Sequence, residues 1–211
     1  MAACCDSRKT VFDGVSADYK RRLWIVIAIN ASMFAVEMAA GHFAQSQALK
    51  ADALDFLGDA LTYGLSLAVI GCKLRTRATA ALFKGFSLFL MGLWVFGSTF
   101  YQVLVLGVPQ AHVMGVIGVM ALLANLASVL LLVSYKDGDA NVRSVWLCSR
   151  NDAIGNVAVM GAALGVYWLG SAWPDLIVAG LMATLFLWSA FRIIRQALGE
   201  HREAGGHPAP G

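Results

Sequence analysis

Asp55 and Asp59 stand four residues apart, and so do Cys148 and Asp152. On a helix such positions share one face, about 5–6 Å apart. Each pair would therefore present two metal-binding groups side by side. Both pairs lie inside long apolar runs of the kind that cross a membrane. An ionised carboxylate near the middle of a bilayer costs roughly 2.5–3.5 kcal/mol on insertion scales. Three of them would cost on the order of 8–10 kcal/mol if nothing compensated. Acids kept in such a place bind something, and a metal cation is the obvious ligand. Four donors at one point suit a tetrahedral divalent ion such as Zn2+. A thiolate among carboxylates shifts the preference toward Zn2+ or Cd2+. Metal ligands must be deprotonated, so protons compete with the ion, and that competition is a mechanism of exchange.

Other polar residues extend these faces. Asp52 roughly joins the Asp55–Asp59 stripe, and its depth suits either guidance of cations near the outer interface or a ligand role. Asn156 continues the stripe of Cys148 and Asp152. Cys148 reads as a ligand or as a packing residue. Glu37, with Asn30 on the same face, reads as a support for the site, a proton carrier, or a hydrogen-bonding group between helices. Arg150 is expected to snorkel or to pair with an aspartate. Gly161 and Gly165 form a small-x-x-x-small pattern that suits helix packing.

The elements that must position these groups are legible from composition. Of 211 residues, 59% are hydrophobic and 14% charged, against about 45–50% and 25% in ordinary soluble domains. An all-α, six-helix membrane bundle is expected, with spans near 23–43, 48–72, 80–106, 112–135, 144–169 and 176–194. A span needs about 20 apolar residues. The domain division is a segment 1–22, a membrane domain 23–195 and a Gly/Pro/Ala-rich tail 196–211 that reads as disordered. The first apolar run reads as a retained helix rather than a cleaved signal. Arg8, Lys9, Lys20, Arg21, Arg22, Lys73, Arg75, Arg77, Lys84, Lys136, Arg143, Arg192, Arg195 and Arg202 gather at one end of the spans, with Lys50 alone opposite. The positive-inside rule then places both termini in the cytoplasm. A multi-pass protein of the cell (inner) membrane is expected, in contact with the lipid bilayer and with no nucleic-acid partner. Tryptophans near span ends read as interfacial anchors. The four cysteines do not form a disulfide framework, and Cys4 and Cys5 read as reduced.

If spans two and five run antiparallel side by side, Asp55 falls level with Asp152 and Asp59 with Cys148. Asp59 then lies about 16 Å from the outer end of its span and Asp152 about 12 Å from the inner end of its own. Both depths are near the middle of a core about 30 Å thick. The segments Leu54-Asp55-Phe56-Leu57-Gly58-Asp59-Ala60-Leu61 and Leu147-Cys148-Ser149-Arg150-Asn151-Asp152-Ala153-Ile154 share a Leu, a donor, three spacers and Asp-Ala. Asn30 and Asn125 precede the two motifs by similar intervals. An inverted three-helix repeat would explain this, and transporters often bind their ions where such repeats meet.

The run Ala51-Asp52-Ala53-Leu54-Asp55-Phe56-Leu57-Gly58-Asp59 resembles the second-helix motif of the cation diffusion facilitators. The run Cys148-Ser149-Arg150-Asn151-Asp152-Ala153-Ile154-Gly155-Asn156 is similar to the fifth-helix motif of that family, and Asn30, Met33, Phe34 and Glu37 match its first helix. The resemblance covers about residues 20–195. It implies export of divalent transition metals, commonly Zn2+, in exchange for protons. It implies a transport site made of Asp55, Asp59, Cys148 and Asp152, no prosthetic group, and a homodimer. Cys148 stands where the Zn2+ exporters commonly carry histidine, so the identity of the metal is not carried over. The family's usual cytoplasmic C-terminal domain does not follow Arg195, so a dimer is expected to form through membrane helices. The usual His-rich loop between spans four and five is not seen in 136–143. Cys4, Cys5, His201 and His207 are weak candidates for capturing metal.

The leading expectation is a secondary transporter exporting a Zn2+-, Cd2+- or Co2+-like cation by proton antiport. The alternative is a membrane metal-binding accessory or sensor subunit that does not transport. An enzyme is not expected. The chain has no H-E-x-x-H pattern and no G-x-S-x-G elbow.

Overall fold

A computed structural model describes residues 16–69, 74–105, 107–136 and 140–206. Six long helices fill it: α1 (Ala17–Phe43), α2 (Gln47–Ala68), α3 (Leu74–Val105), α4 (Ala111–Leu132), α5 (Ala140–Leu169) and α6 (Trp173–Gly206), with a short 3-10 turn, Val133–Tyr135, after α4. Cys4, Cys5, Arg8, Lys9, Lys73 and His207 lie outside the described residues.

The helices start where small hydroxyls satisfy free backbone N–H groups. Ser16 Oγ accepts from Tyr19 N at 3.2 Å. Ser46 Oγ accepts from Leu49 N at 3.0 Å. Gln45, at φ 55°, turns the chain between α1 and α2, and Gly170, at φ 57°, turns it between α5 and α6. Helix six continues to Gly206, so residues 196–206, read from sequence as disordered, are helical. Ala197, Leu198, Glu200, Arg202, Glu203 and Ala204 are good helix formers, and a judgement by Gly and Pro content overlooks them. Helix one likewise begins at Ala17, before the apolar run.

Among the described residues, five helices are long and apolar enough to cross a membrane, and α2 is not among them. Large apolar side chains cover the outside of the bundle: Trp24, Phe100, Leu130, Leu164 and Phe191 are all exposed. A bundle in water would hide them. Trp94, Trp168, Trp173 and Trp188 also face outward, as anchors should. The exception, α2, is as long as α4 at 22 residues, enough to cross at about 33 Å. It carries Lys50, Asp52, Asp55 and Asp59. It tolerates them because α1, α3, α5 and α6 pack around it, so lipid has little access to it.

Each helix of the first three also packs on its counterpart: α1 on α4, α2 on α5 and α3 on α6. Glycines allow the closest of these approaches. A Cβ on Gly85 would come within 2.7 Å of Ile194, and one on Gly92 within 3.1 Å of Leu187. Gly165 sits against Pro174, whereas Gly161 has nothing near it. The small-x-x-x-small pattern therefore acts through one of its two members.

Two clamps hold the ends of the bundle. At the end near the start of α1, Arg22 Nε pairs with Asp18 at 3.0 Å. Tyr135 donates to the same carboxylate at 2.5 Å, and Arg22 Nη1 donates to Leu131 O at 3.2 Å. At the far end, Gln110 N donates to Ala44 O at 3.0 Å. There Asp175, in the first turn of α6, holds the start of α2: it accepts from Ser46 Oγ at 2.6 Å, Gln47 N at 2.8 Å and Ala48 N at 3.1 Å.

Candidate metal centre

Asp55, Asp59, Cys148 and Asp152 all line one pocket of about 410 Å³ between α2, α3, α5 and α6. The four-residue spacing sends Asp55 and Asp59 to one face of α2, and Cys148 and Asp152 to one face of α5. Packing of α2 on α5 turns the two faces toward each other. Asp59 is buried, and Asp55, Asp152 and Cys148 are half-buried. On α6 the pocket wall runs from Met182 to Ile193, and on α3 it includes Lys84 and Leu88. The pocket thus extends from mid-bundle toward the end where α1 starts.

The acids meet. Asp152 lies in hydrogen-bonding contact with both Asp55 and Asp59. Asp55 meets Asp152 and Asp59 lies by Cys148, the levels expected from sequence, and Asp152 also reaches Asp59, a contact that expectation did not include. Helical side chains lean toward their own N-terminus. On antiparallel helices Asp59 and Asp152 lean in opposite directions, toward one another. Among the described residues no three His, Cys, Asp or Glu side chains form a ready-made metal cage. The donors ring the pocket instead.

Tyr63 and Lys84 were not singled out from sequence as parts of this site. Tyr63 is fully buried. Its hydroxyl donates to Asp59 Oδ2 and lies 3.3 Å from Ser149 Oγ. The signal was available, because Asp55, Asp59 and Tyr63 continue one i, i+4 stripe. Cys148 is a free thiol in contact with Tyr63. It both lines the pocket and packs against the cluster of Tyr19, Leu23, Tyr63 and Leu132. Lys84 places a cation on the pocket wall. In the sequence it counts only among the basic residues gathered at one end of the spans; the structure sets it ten positions into α3.

Three flanking residues stand around the site, and of the two expectations for Arg150 the described residues lack the aspartate pair. Asp52 is 2% exposed, because the other helices sheathe α2, so its carboxyl group is not open to solvent. Asn30 donates to Val26 O of its own helix at 2.8 Å rather than to the site. Arg150 is exposed, lies 5.5 Å from the Trp146 ring centroid and donates to Asn151; no ion pair joins it to an aspartate among the described residues.

Residues 23–200 match the cation efflux transmembrane domain, which spans all six helices and every donor in the pocket. The chain belongs to the cation efflux family, the cation diffusion facilitators. It is 26% identical over 193 residues to the metal cation efflux system protein CzcD of Cupriavidus metallidurans, covering 85% of this chain and 60% of that one. It is 28% identical over 195 residues to the zinc transporter ZitB of Escherichia coli, covering 85% of this chain and 62% of the relative. The ZitB of Yersinia pestis is 27% identical over 193 residues. The chain thus spans about three-fifths of the length of these curated relatives.

Proposed function

We propose that this member of the cation efflux family carries Zn2+, or a chemically similar ion such as Cd2+ or Co2+, out of the cytoplasm in exchange for protons. Asp55, Asp59 and Asp152 hold the ion, with Cys148 as the fourth donor. The observation that carries the reading is the meeting of three carboxyl groups from α2 and α5 in one pocket. The names of the relatives, metal cation efflux protein and zinc transporter, point to the same cargo. Tyr63 orients Asp59, as a partner outside the metal shell commonly does.

In this reading the bundle crosses the inner membrane of the cell with both termini in the cytoplasm, an orientation that the gathering of basic residues at one end supports. The pocket is then reached from the cytoplasm. Each arriving ion displaces protons from the carboxyl groups, and protons from the other side release it. Rocking of helices against one another alternates access. A homodimer forms through membrane helices.

Liposomes holding the purified chain test this directly. A pH gradient should drive Zn2+ or Cd2+ across the membrane, read by an enclosed metal-sensitive dye. Stoichiometric binding without flux would favour the accessory-subunit reading. Flux that ignores the pH gradient would remove proton exchange.

A further inference from the structure

One turn beyond the pocket, toward the far end of the bundle, two more acids are enclosed. Glu37 on α1 is 0% exposed and Asp52 on α2 is 2% exposed. No N–H or O–H donor reaches either oxygen of Glu37 or Oδ2 of Asp52 among the described residues. The two carboxyl groups instead face one another in contact. Two carboxylates touching in a dry site cannot both stay ionised, since like charges at that distance repel strongly. A single shared proton removes the conflict, because one carboxyl then donates to the other.

We propose that Glu37 and Asp52 form a proton-holding pair that couples proton entry from the far side to metal release from the pocket. This rests on the transporter reading above. The pair is better suited to a proton than to a metal. It offers three unpartnered oxygens and no imidazole or thiol, whereas a bound divalent metal wants at least four donors. Its position suits coupling. Asp55, on the same helix, is the pocket acid whose charge bears on both members. Asp59 on α2 and Asp152 on α5 stand behind it. On α4, which packs against α1, the buried polar residues are the neutral Asn125 and Ser128. Lys50 and Asp175 stand toward the far end. The pair holds one proton at rest. A second proton entering from the far side moves one proton on to Asp55, which displaces the metal, and the pair is left with its shared proton.

Infrared spectra and transport by E37Q and D52N test the pair. Glutamine and asparagine mimic the neutral acids, so both variants should insert and fold. Wild-type protein saturated with Zn2+ should still show a protonated-carboxyl C=O band, since the metal occupies the pocket carboxylates. That band should vanish in E37Q. Zn2+ affinity should stay within ~3-fold, the change expected of residues outside the ligand shell that do not orient it. Flux driven by a pH gradient should fall at least ~10-fold, a larger loss than affinity alone explains. Absence of the band in metal-saturated wild type, or its persistence in both variants, would overturn the pair. So would full pH-driven flux in both variants. Wild-type protein that binds Zn2+ and never transports it would instead sink the transporter reading, which the infrared band does not touch.

Discussion

Two buried acids at the same end of α2 meet opposite fates. Asp175 is fully enclosed and accepts three hydrogen bonds, two from backbone N–H groups in the first turn of α2 and one from Ser46. Its charge is matched by donors and by the positive end of a helix dipole. Asp52, less than two turns along the same helix, has an oxygen with no donor, and it faces Glu37, which has none. The carboxyl groups of Asp55, Asp59 and Asp152 are likewise turned on one another. A buried polar group is ordinarily paired within the protein. Asp175 obeys that rule and is a fastener. Further along α2, Asp52 breaks it, and Asp55 and Asp59 turn toward another carboxyl group, with Tyr63 the one donor on Asp59; these acids suit a ligand from outside. The comparison separates structure from function without appeal to any relative.

Substitutions should divide along the same line. The largest effect is expected at the pocket. Asp59→Ala or Asp152→Ala should reduce metal flux more than ~100-fold, beyond the 10–100-fold typical of residues outside the ligand shell. Membrane insertion should persist in both, and the thermal stability lost should be small beside the loss of flux: about 1 kcal/mol at most for Asp59→Ala, which takes away the Tyr63 hydrogen bond. Near-normal flux in either variant would break the distinction. Asp175→Ala should do the reverse. Leaving Ser46 and two backbone N–H groups unpaired should cost about 3 kcal/mol of stability, read by denaturation in detergent, while metal affinity of the folded fraction stays within a few-fold. Tyr63→Phe probes the boundary between the two classes: Asp59 loses its orienting donor, and Zn2+ affinity by calorimetry should drop by ~10-fold. The smallest effect is expected at Cys148. Cys148→Ser should lower preference for Cd2+ over Mn2+ by a few-fold, as loss of a soft donor requires. An unchanged selectivity profile would leave the thiol as packing for Tyr63.

Much of this was legible in the chain. Six apolar segments and two i, i+4 pairs were enough to foresee the helices and the acids that converge. They also carried the family resemblance that the match over residues 23–200 bears out. What escaped depended on tertiary surroundings. Asp175 sits in a turn-like Ser-Ala-Trp-Pro-Asp stretch, and its role appears only when α6 begins beside the start of α2. Asp52 looked shallow by residue count, yet helices on every side bury it. Helix two read as an ordinary span, although its charges exclude it from the helices apolar enough to face lipid. Periodicity reports which residues share a face; it is silent on what faces them. Tyr63 is the instructive miss, since the period did include it and only its residue type drew attention away.

The central claim is that carboxylates of α2 and α5 jointly bind one metal ion. X-ray absorption at the zinc edge, on the purified chain loaded with one equivalent of Zn2+, tests it most directly. The account predicts an oxygen shell at about 2.0–2.2 Å with a single sulfur near 2.3 Å, and loss of both shells in Asp59→Ala and in Asp152→Ala alike. A spectrum dominated by imidazole nitrogen, or one unchanged by either substitution, would contradict it.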